Sequence, residues 1–226
     1  MLQDLIRREF NRWADLGRGR GMEKSHWDVT RQMLDLMNVG QHDNIIDMGC
    51  GVGWATRILA QRASRGIVLG VDLSDHMIAQ ACREYRNPPN ALFLVADASV
   101  LPWPDNFFNS LLSVESIYYY PDLNAAFTEV HRVLRPGAKA FFLTNYYREN
   151  AYSHNWAKHI DIPVHLLAAQ DYLDQLSKAG FRAATHRRII DSTPIPEDWT
   201  PTNWFPTRQD QVNFQAEGAL LLIAEK

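Results

Sequence analysis

A chain of 226 residues is long enough for one domain with room for a lid or insertion. Its 46% hydrophobic and 22% charged residues exclude a disordered, collagen-like or coiled-coil protein. A net charge of −3 supplies no basic field for a nucleic-acid backbone, and two cysteines make no disulfide framework.

The opening segment MLQDLIRREFNRW is charged and amphipathic, without the apolar run of a secretory signal. No stretch approaches the ~20 apolar residues of a membrane span. The expectation is a cytoplasmic protein with reduced thiols and no membrane partner. Leu2, Leu5, Ile6, Phe10, Trp13 and Leu16 lie at helical spacing over 2–16. Gly17, Gly19 and Gly21 are expected to interrupt before a second helix over 24–37, with Trp27, Met33, Leu34 and Met37 inward.

A regular alternation follows. Strands are predicted at 44–48, 67–71, 91–95, 108–114 and 138–144, with helices at 53–63, 75–85 and 123–134. Ser74 is placed to cap the second of these helices, Asn87-Pro88-Pro89 to close it, and Arg135-Pro136-Gly137 to end the third. This order argues for an α/β fold, a doubly wound and mostly parallel sheet with helices on both faces. Residues 171–179 read as a helix stopped by Gly180. Residues 182–190 and 219–225 read as strands. Between them, 191–217 reads as an ordered loop rich in proline and aromatics, or a surface meeting a substrate or a second subunit.

The segment Ile45-Ile46-Asp47-Met48-Gly49-Cys50-Gly51-Val52-Gly53 carries the most chemistry. A strand ends in an acid, glycines alternate, and a helix begins. Such glycines let a ligand approach the backbone closely. A dinucleotide motif would require glycine where Trp54 stands, and Asp47 would repel a diphosphate. Asp72 and Asp97 end the next two strands, so three carboxylates face one crevice. Asp72 suits a pair of ribose hydroxyls, and Asp97 with the Ala98 amide suits an adenine edge.

Residues 44–145 resemble the core of the class I S-adenosylmethionine-dependent methyltransferases, in the small-molecule, ubiquinone/menaquinone-type branch. The resemblance rests on IIDMGCGVGWAT, GVDLSDHMIAQA, VADASVLPWPDNFFNSLLSVESIYYYPD and FTEVHRVLRPGAKAFFL, in that order. It implies a Rossmann-like sheet of seven strands, the last two antiparallel, and S-adenosylmethionine as cofactor. It places Gly49, Gly51 and Gly53 beside the methionine part and Asp47 near its amino group. Asp72 would hold the ribose, and Leu73 and Met77 would border the adenine. Asp97 and Ala98 would meet its edge, and Ser113 and Val114 would lie beside the sulfonium. The single domain over 1–226 then divides into an N-terminal helical cap (1–40), a cofactor core (41–145) and a substrate-side insertion with C-terminal strands (146–226).

The acceptor half is less defined. Glu115-Ser116-Ile117-Tyr118-Tyr119-Tyr120-Pro121-Asp122 is similar to a run in natural-product methyltransferases where histidine serves as base, but tyrosines hold those positions here. Tyr118 and His154 are the catalytic candidates. His26, Trp27, Glu115, Tyr118, Tyr119, Tyr146 and Tyr147 are the candidates for acceptor binding. The tyrosines suit aromatic walls or contacts to a methylammonium-like centre. His159 and His165 are further base candidates, and no metal site is expected. The expected partner is a small-molecule acceptor, with no nucleic acid and with a homodimer possible in principle. A non-catalytic S-adenosylmethionine-binding protein would share the same core. An RNA or protein methyltransferase and a dehydrogenase fit less well.

Overall fold

The computed structural model describes residues 2–84 and 88–226. Helices α1 (Leu2–Asp15) and α2 (Arg18–Leu36) precede the sheet. Then follow β1 (Ile45–Met48), α3 (Trp54–Arg62), β2 (Val68–Asp72), α4 (Asp75–Glu84), β3 (Ala91–Val95) and β4 (Phe108–Val114). The chain continues through α5 (Leu123–Val133), β5 (Leu134–Thr144), α6 (Ala169–Lys178), β6 (Ala183–Ile189), α7 (Arg208–Glu217) and β7 (Ala219–Glu225). Two 3₁₀ turns, Ile117–Tyr119 and Ala151–His159, lie in the loops after β4 and β5.

The seven strands form one sheet in the order β3-β2-β1-β4-β5-β7-β6. The first five run parallel, and β7 is antiparallel to both of its neighbours. The α/β sheet with helices on both faces is therefore as expected. Alternating side chains divide the core between the faces. Ile45, Leu112 and Leu221 pack with Val29, Met33 and Leu34 of α2, while Ile46, Leu111 and Leu222 pack with Phe127, Val130, Tyr172 and Leu176 of α5 and α6. The strand order reverses between β1 and β4. Connections leave those two strand ends in opposite directions, which opens a crevice above them.

Several boundaries differ from the sequence reading. Helix α2 starts at Arg18, so Gly19 and Gly21 are inside it. Gly17 takes the left-handed turn at φ 72°, and Gly19 is needed for close approach, since a Cβ there would stand 2.5 Å from Val52 Cγ1. Trp27 lies on the outer side of α2 and is 41% exposed, because Val29, Thr30, Met33 and Leu34 form the inward face. On α1, Ile6 and Trp13 turn inward while Leu2 and Leu5 stay exposed, as does Leu16 just past its end. Pro136 and Gly137 do not separate α5 from β5. They lie inside β5, where Gly137 has φ 80° and the register with β4 shifts.

Residues 208–217, read as loop, form α7. Thr207 and Asp210 cap it reciprocally, each side chain accepting from the other's backbone N–H. The aromatics before it do pack: Phe205 meets Phe214, and Trp204 meets Trp156. Ser74 caps α4 by accepting from the Met77 N–H at 3.0 Å. The expected C-terminal closure of that helix at Tyr85 and Asn87 lies outside the described residues. No helix among the described residues is long and apolar enough to cross a membrane.

Candidate functional site

One cleft opens at the C-terminal ends of β1, β2 and β4, roofed by α1 and α2. Its floor is the turn from β1 to α3. Gly49, Gly51 and Gly53 all take positive φ there, but they do different work. A Cβ on Gly49 would collide with Ser116, and one on Gly53 would collide with the Phe93 ring. A Cβ on Gly51 would meet nothing within 4 Å. Gly51 therefore faces open cleft. Gly53, expected beside a ligand, instead lets α3 pack against β3 and is not on the cleft wall.

Carboxylates surround this floor. Asp47 is buried and accepts from the Thr56 hydroxyl at 2.6 Å. Burial, with the Asp72 charge adding, pushes its carboxyl up to about 7. Asp72 holds the glycine turn to the next helix: one oxygen accepts from the Gly51 N–H and the other from the Ser74 N–H, both at 2.8 Å. Burial raises it as well, against these hydrogen bonds. Asp97 accepts from the Ser99 N–H and hydroxyl and is met by Gln3 of α1. Leu73, Met77, Ala98 and Val114 complete this part of the wall.

The roof is tied down along α4. Asn11 donates to Asp75 and accepts from the Ser74 hydroxyl, and Gln80 donates to the Ala14 carbonyl. Ile6, Phe10 and Trp13 of α1 and Met22 and His26 of α2 face the cleft. Burial keeps the His26 imidazole neutral, lowered to about 4, and its Nδ1 is buried without a hydrogen-bond partner.

Glu115 and Tyr119 reach the cleft as expected. Other candidates do not. Tyr118 is buried behind the wall, its ring against Tyr119 and Tyr146 and its hydroxyl donating to Glu115 at 3.2 Å. His154 turns away, with Nε2 3.1 Å from the Arg148 carbonyl. It does not line this cleft. Tyr146 packs on Trp156, and the Tyr147 hydroxyl donates to the Gly218 carbonyl at 2.9 Å. His165 is held by the Tyr120 carbonyl, and His159 packs against Trp204. Ser113 sits beneath the wall, 2.6 Å from the Ser116 hydroxyl.

Sequence reasoning missed Ser116 and did not single out Tyr120 from the tyrosine run. Both line the cleft, their hydroxyls 2.7 Å apart. Their separation by four residues, one turn past a strand end, was the available signal. The Cys50 thiol, also on the wall, is pushed up by burial, which disfavours the nucleophilic thiolate. Among the described residues no group of three or more His, Cys, Asp or Glu is arranged to hold a metal ion.

The family model for a methyltransferase domain matches residues 46–142, the β1-to-β5 region that frames this cleft. A chain solved in complex with the Haloferax volcanii Trm112 methyltransferase activator superposes with a TM-score of 0.88 at 33% identity, covering 96% of each chain. This chain belongs to the S-adenosylmethionine-dependent methyltransferases. A fatty-acid O-methyltransferase of Mycolicibacterium smegmatis is 34% identical over 55% of this chain and 44% of its own length. A 24-methylenesterol C-methyltransferase of Arabidopsis thaliana is 34% identical over 51% of this chain and 34% of its own. The matches thus span less than half the length of these curated relatives. Their names point to fatty-acid and sterol acceptors and do not single out the ubiquinone/menaquinone branch.

The methyltransferase's cleft suits the family's cofactor chemically. Five carboxylates (Asp47, Asp72, Asp97, Glu115 and Asp122) line it, and no lysine or arginine does among the described residues. S-adenosylmethionine carries a sulfonium and an ammonium group, which such a wall attracts. Open space lies over Gly51, whose own N–H is given to Asp72.

Proposed function

We propose that this methyltransferase moves a methyl group from S-adenosylmethionine to a small, apolar acceptor that carries no negative charge. The observation that carries this reading is the cleft wall with five acids and, among the described residues, no lysine or arginine. A phosphate or a nucleic-acid backbone would meet like charge there. The cofactor supplies an electrophilic methyl group whose transfer removes the sulfonium charge.

In this reading Asp47 binds the cofactor's ammonium group and Asp72 its ribose hydroxyls. Leu73 and Met77 border the adenine, Asp97 and Ala98 meet its edge, and Val114 stands near the sulfonium. Gly49 and Gly51 line the methionine part. Ile6, Phe10, Trp13 and Tyr119 exclude water and accommodate the apolar acceptor. Asp72→Ala is expected to weaken cofactor binding roughly ten- to hundred-fold, since a charged acceptor is lost and Gly51 loses its anchor. Calorimetry on the folded variant checks this; unchanged affinity would remove Asp72 from the site. The activity itself is tested by screening neutral, cationic and anionic acceptors for S-adenosylhomocysteine release. Turnover confined to anionic acceptors would overturn the reading.

A second reading concerns a protein partner. The Haloferax volcanii chain was solved with an activator. Here β3 is the open edge of the sheet, and its five residues, Ala91–Val95, are all apolar. Leu92 and Val95 are each 44% exposed, and nearby Val100 is 70% exposed. Such an edge offers a row of unpaired backbone groups to a second chain. We infer that an activator protein of the same kind adds along β3. Leu92→Arg with Val95→Arg is expected to abolish co-elution with a Trm112-type activator while leaving the melting temperature unchanged. Undiminished co-elution would overturn this reading, and a homodimer lost in the same variant would assign the edge to a second copy of the chain.

A further inference from the structure

Away from the glycine turn, the cleft ends against a wall built from α1 and the 3₁₀ turn after β4. Phe10 stands edge-on to Tyr119, with ring centroids 4.9 Å apart, and edge-on to Trp13 at 5.2 Å. All three rings line the cleft. Tyr119 in turn packs on Tyr118, centroids 4.3 Å apart, and the Tyr118 hydroxyl donates to Glu115. The aromatic wall is thus continuous with Glu115, a residue that also lines the cleft.

Glu115 is held unusually. Its backbone takes φ 52°, a left-handed conformation that a non-glycine residue rarely adopts and that marks positions where placement of the side chain matters. One carboxylate oxygen accepts from the Asn145 backbone N–H at 2.7 Å and from its side-chain amide at 3.0 Å. The other receives only the Tyr118 hydroxyl at 3.2 Å. None of these donors is cationic. A buried carboxylate with only neutral donors is strongly favoured by a cation beside its less-bonded oxygen. Ring faces attract cations too, and most strongly where water is excluded. His26, the basic side chain on the cleft wall, is kept neutral by burial and does not repel one.

We propose that Glu115 with the Phe10, Trp13 and Tyr119 rings forms a subsite for an amine, and that the methyl acceptor is an amine on an apolar body. This rests on the methyltransferase reading above. The bound ammonium first gives one N–H proton to the Glu115 carboxylate, which frees the nitrogen lone pair. That pair forms the new N–C bond as the C–S bond breaks and its electrons stay on sulfur, so the positive charge passes from sulfur to nitrogen. The pushing of that carboxyl up to about 7 by burial suits it to hold such a proton.

The test is a calorimetric titration of the full chain, loaded with S-adenosylhomocysteine, with hexylamine, hexanol and hexanoate. Hexylamine is expected to bind roughly tenfold more tightly than hexanol, and hexanoate not at all. Glu115→Gln is expected to erase the preference for the amine while S-adenosylhomocysteine affinity stays within twofold. Equal or tighter binding of hexanol, or an amine preference that survives in Glu115→Gln, would overturn the proposal. Should that variant fail to fold, Tyr119→Leu removes a ring and keeps the acid, and it is expected to weaken hexylamine several-fold with hexanol unchanged; unchanged hexylamine would be contrary. The same titrations on the cofactor-free chain separate the two readings. Absence of S-adenosylhomocysteine binding would overturn the methyltransferase reading, while the amine preference is still read.

Discussion

Gly51→Val is expected to abolish S-adenosylmethionine binding in a protein that still folds. Gly51 has φ 54°, and a Cβ built on it touches nothing within 4 Å. The fold therefore loses only the conformational penalty of a side chain in the left-handed region, roughly 1–2 kcal/mol. The valine methyl groups, however, project into the open cleft and displace whatever lies against the Gly51 backbone. Their branching also opposes the backbone angles that aim the Gly51 N–H at Asp72. Calorimetry and a thermal melt on one preparation read both effects. Retained affinity would show that the turn does not cradle the ligand. Gly53→Ala is the contrasting control. Its Cβ would run into the Phe93 ring, so it should lower stability first.

Asp47→Asn should raise the stability of the cofactor-free protein and weaken cofactor binding. The carboxyl has a folded-state value of about 7 against an ordinary 3.8, raised chiefly by burial. An acid raised on folding binds more protons in the native state between those two values. Its cost is absent below the lower value, grows as pH rises, and is complete above about 7. Glu115, also raised to about 7 by burial, acts in the same direction. The cofactor-free wild type should therefore melt lower at pH 8 than at pH 6. The asparagine keeps an acceptor for the Thr56 hydroxyl but carries no charge, so it should melt about 5 °C above wild type at pH 8, and the gain should shrink towards pH 5. S-adenosylmethionine affinity should fall roughly tenfold, since the proposed acceptor for its ammonium group loses its charge. A variant that melts below wild type at pH 8 would show that the Asp47 carboxylate is compensated in the free protein.

Asp47 and its neighbouring strand-end acids also show what was legible in the sequence. Asp47, Asp72 and Asp97 were read as strand-end acids facing one crevice, and the structure brings all three to one wall. Parallel strand ends and short connections leave little freedom there, so local patterning carried the reading. The acceptor half obeys longer-range rules. Tyr118 and Tyr119 are neighbours in sequence, yet the 3₁₀ turn sends one ring into the core and the other into the cleft. His154 lies in a loop whose path is set by packing of Trp156 against Phe214 and Trp204, partners some fifty residues away. Gly19 read as a helix breaker because its reason, the approach of Val52, is tertiary. The proline and aromatics of 191–207 masked the Thr207 and Asp210 signal for α7, although that signal is local. The positive φ of Glu115 has no sequence signature, since the residue type argues against it.

The most direct test of the central claim is a competition titration. S-adenosylmethionine is titrated calorimetrically into the wild-type chain, alone and then with NAD in large excess. An acid-lined cleft with Trp54 in place of a third dinucleotide glycine predicts one S-adenosylmethionine per chain, with an affinity that NAD leaves unchanged. No binding of S-adenosylmethionine, or its displacement by NAD, would contradict it.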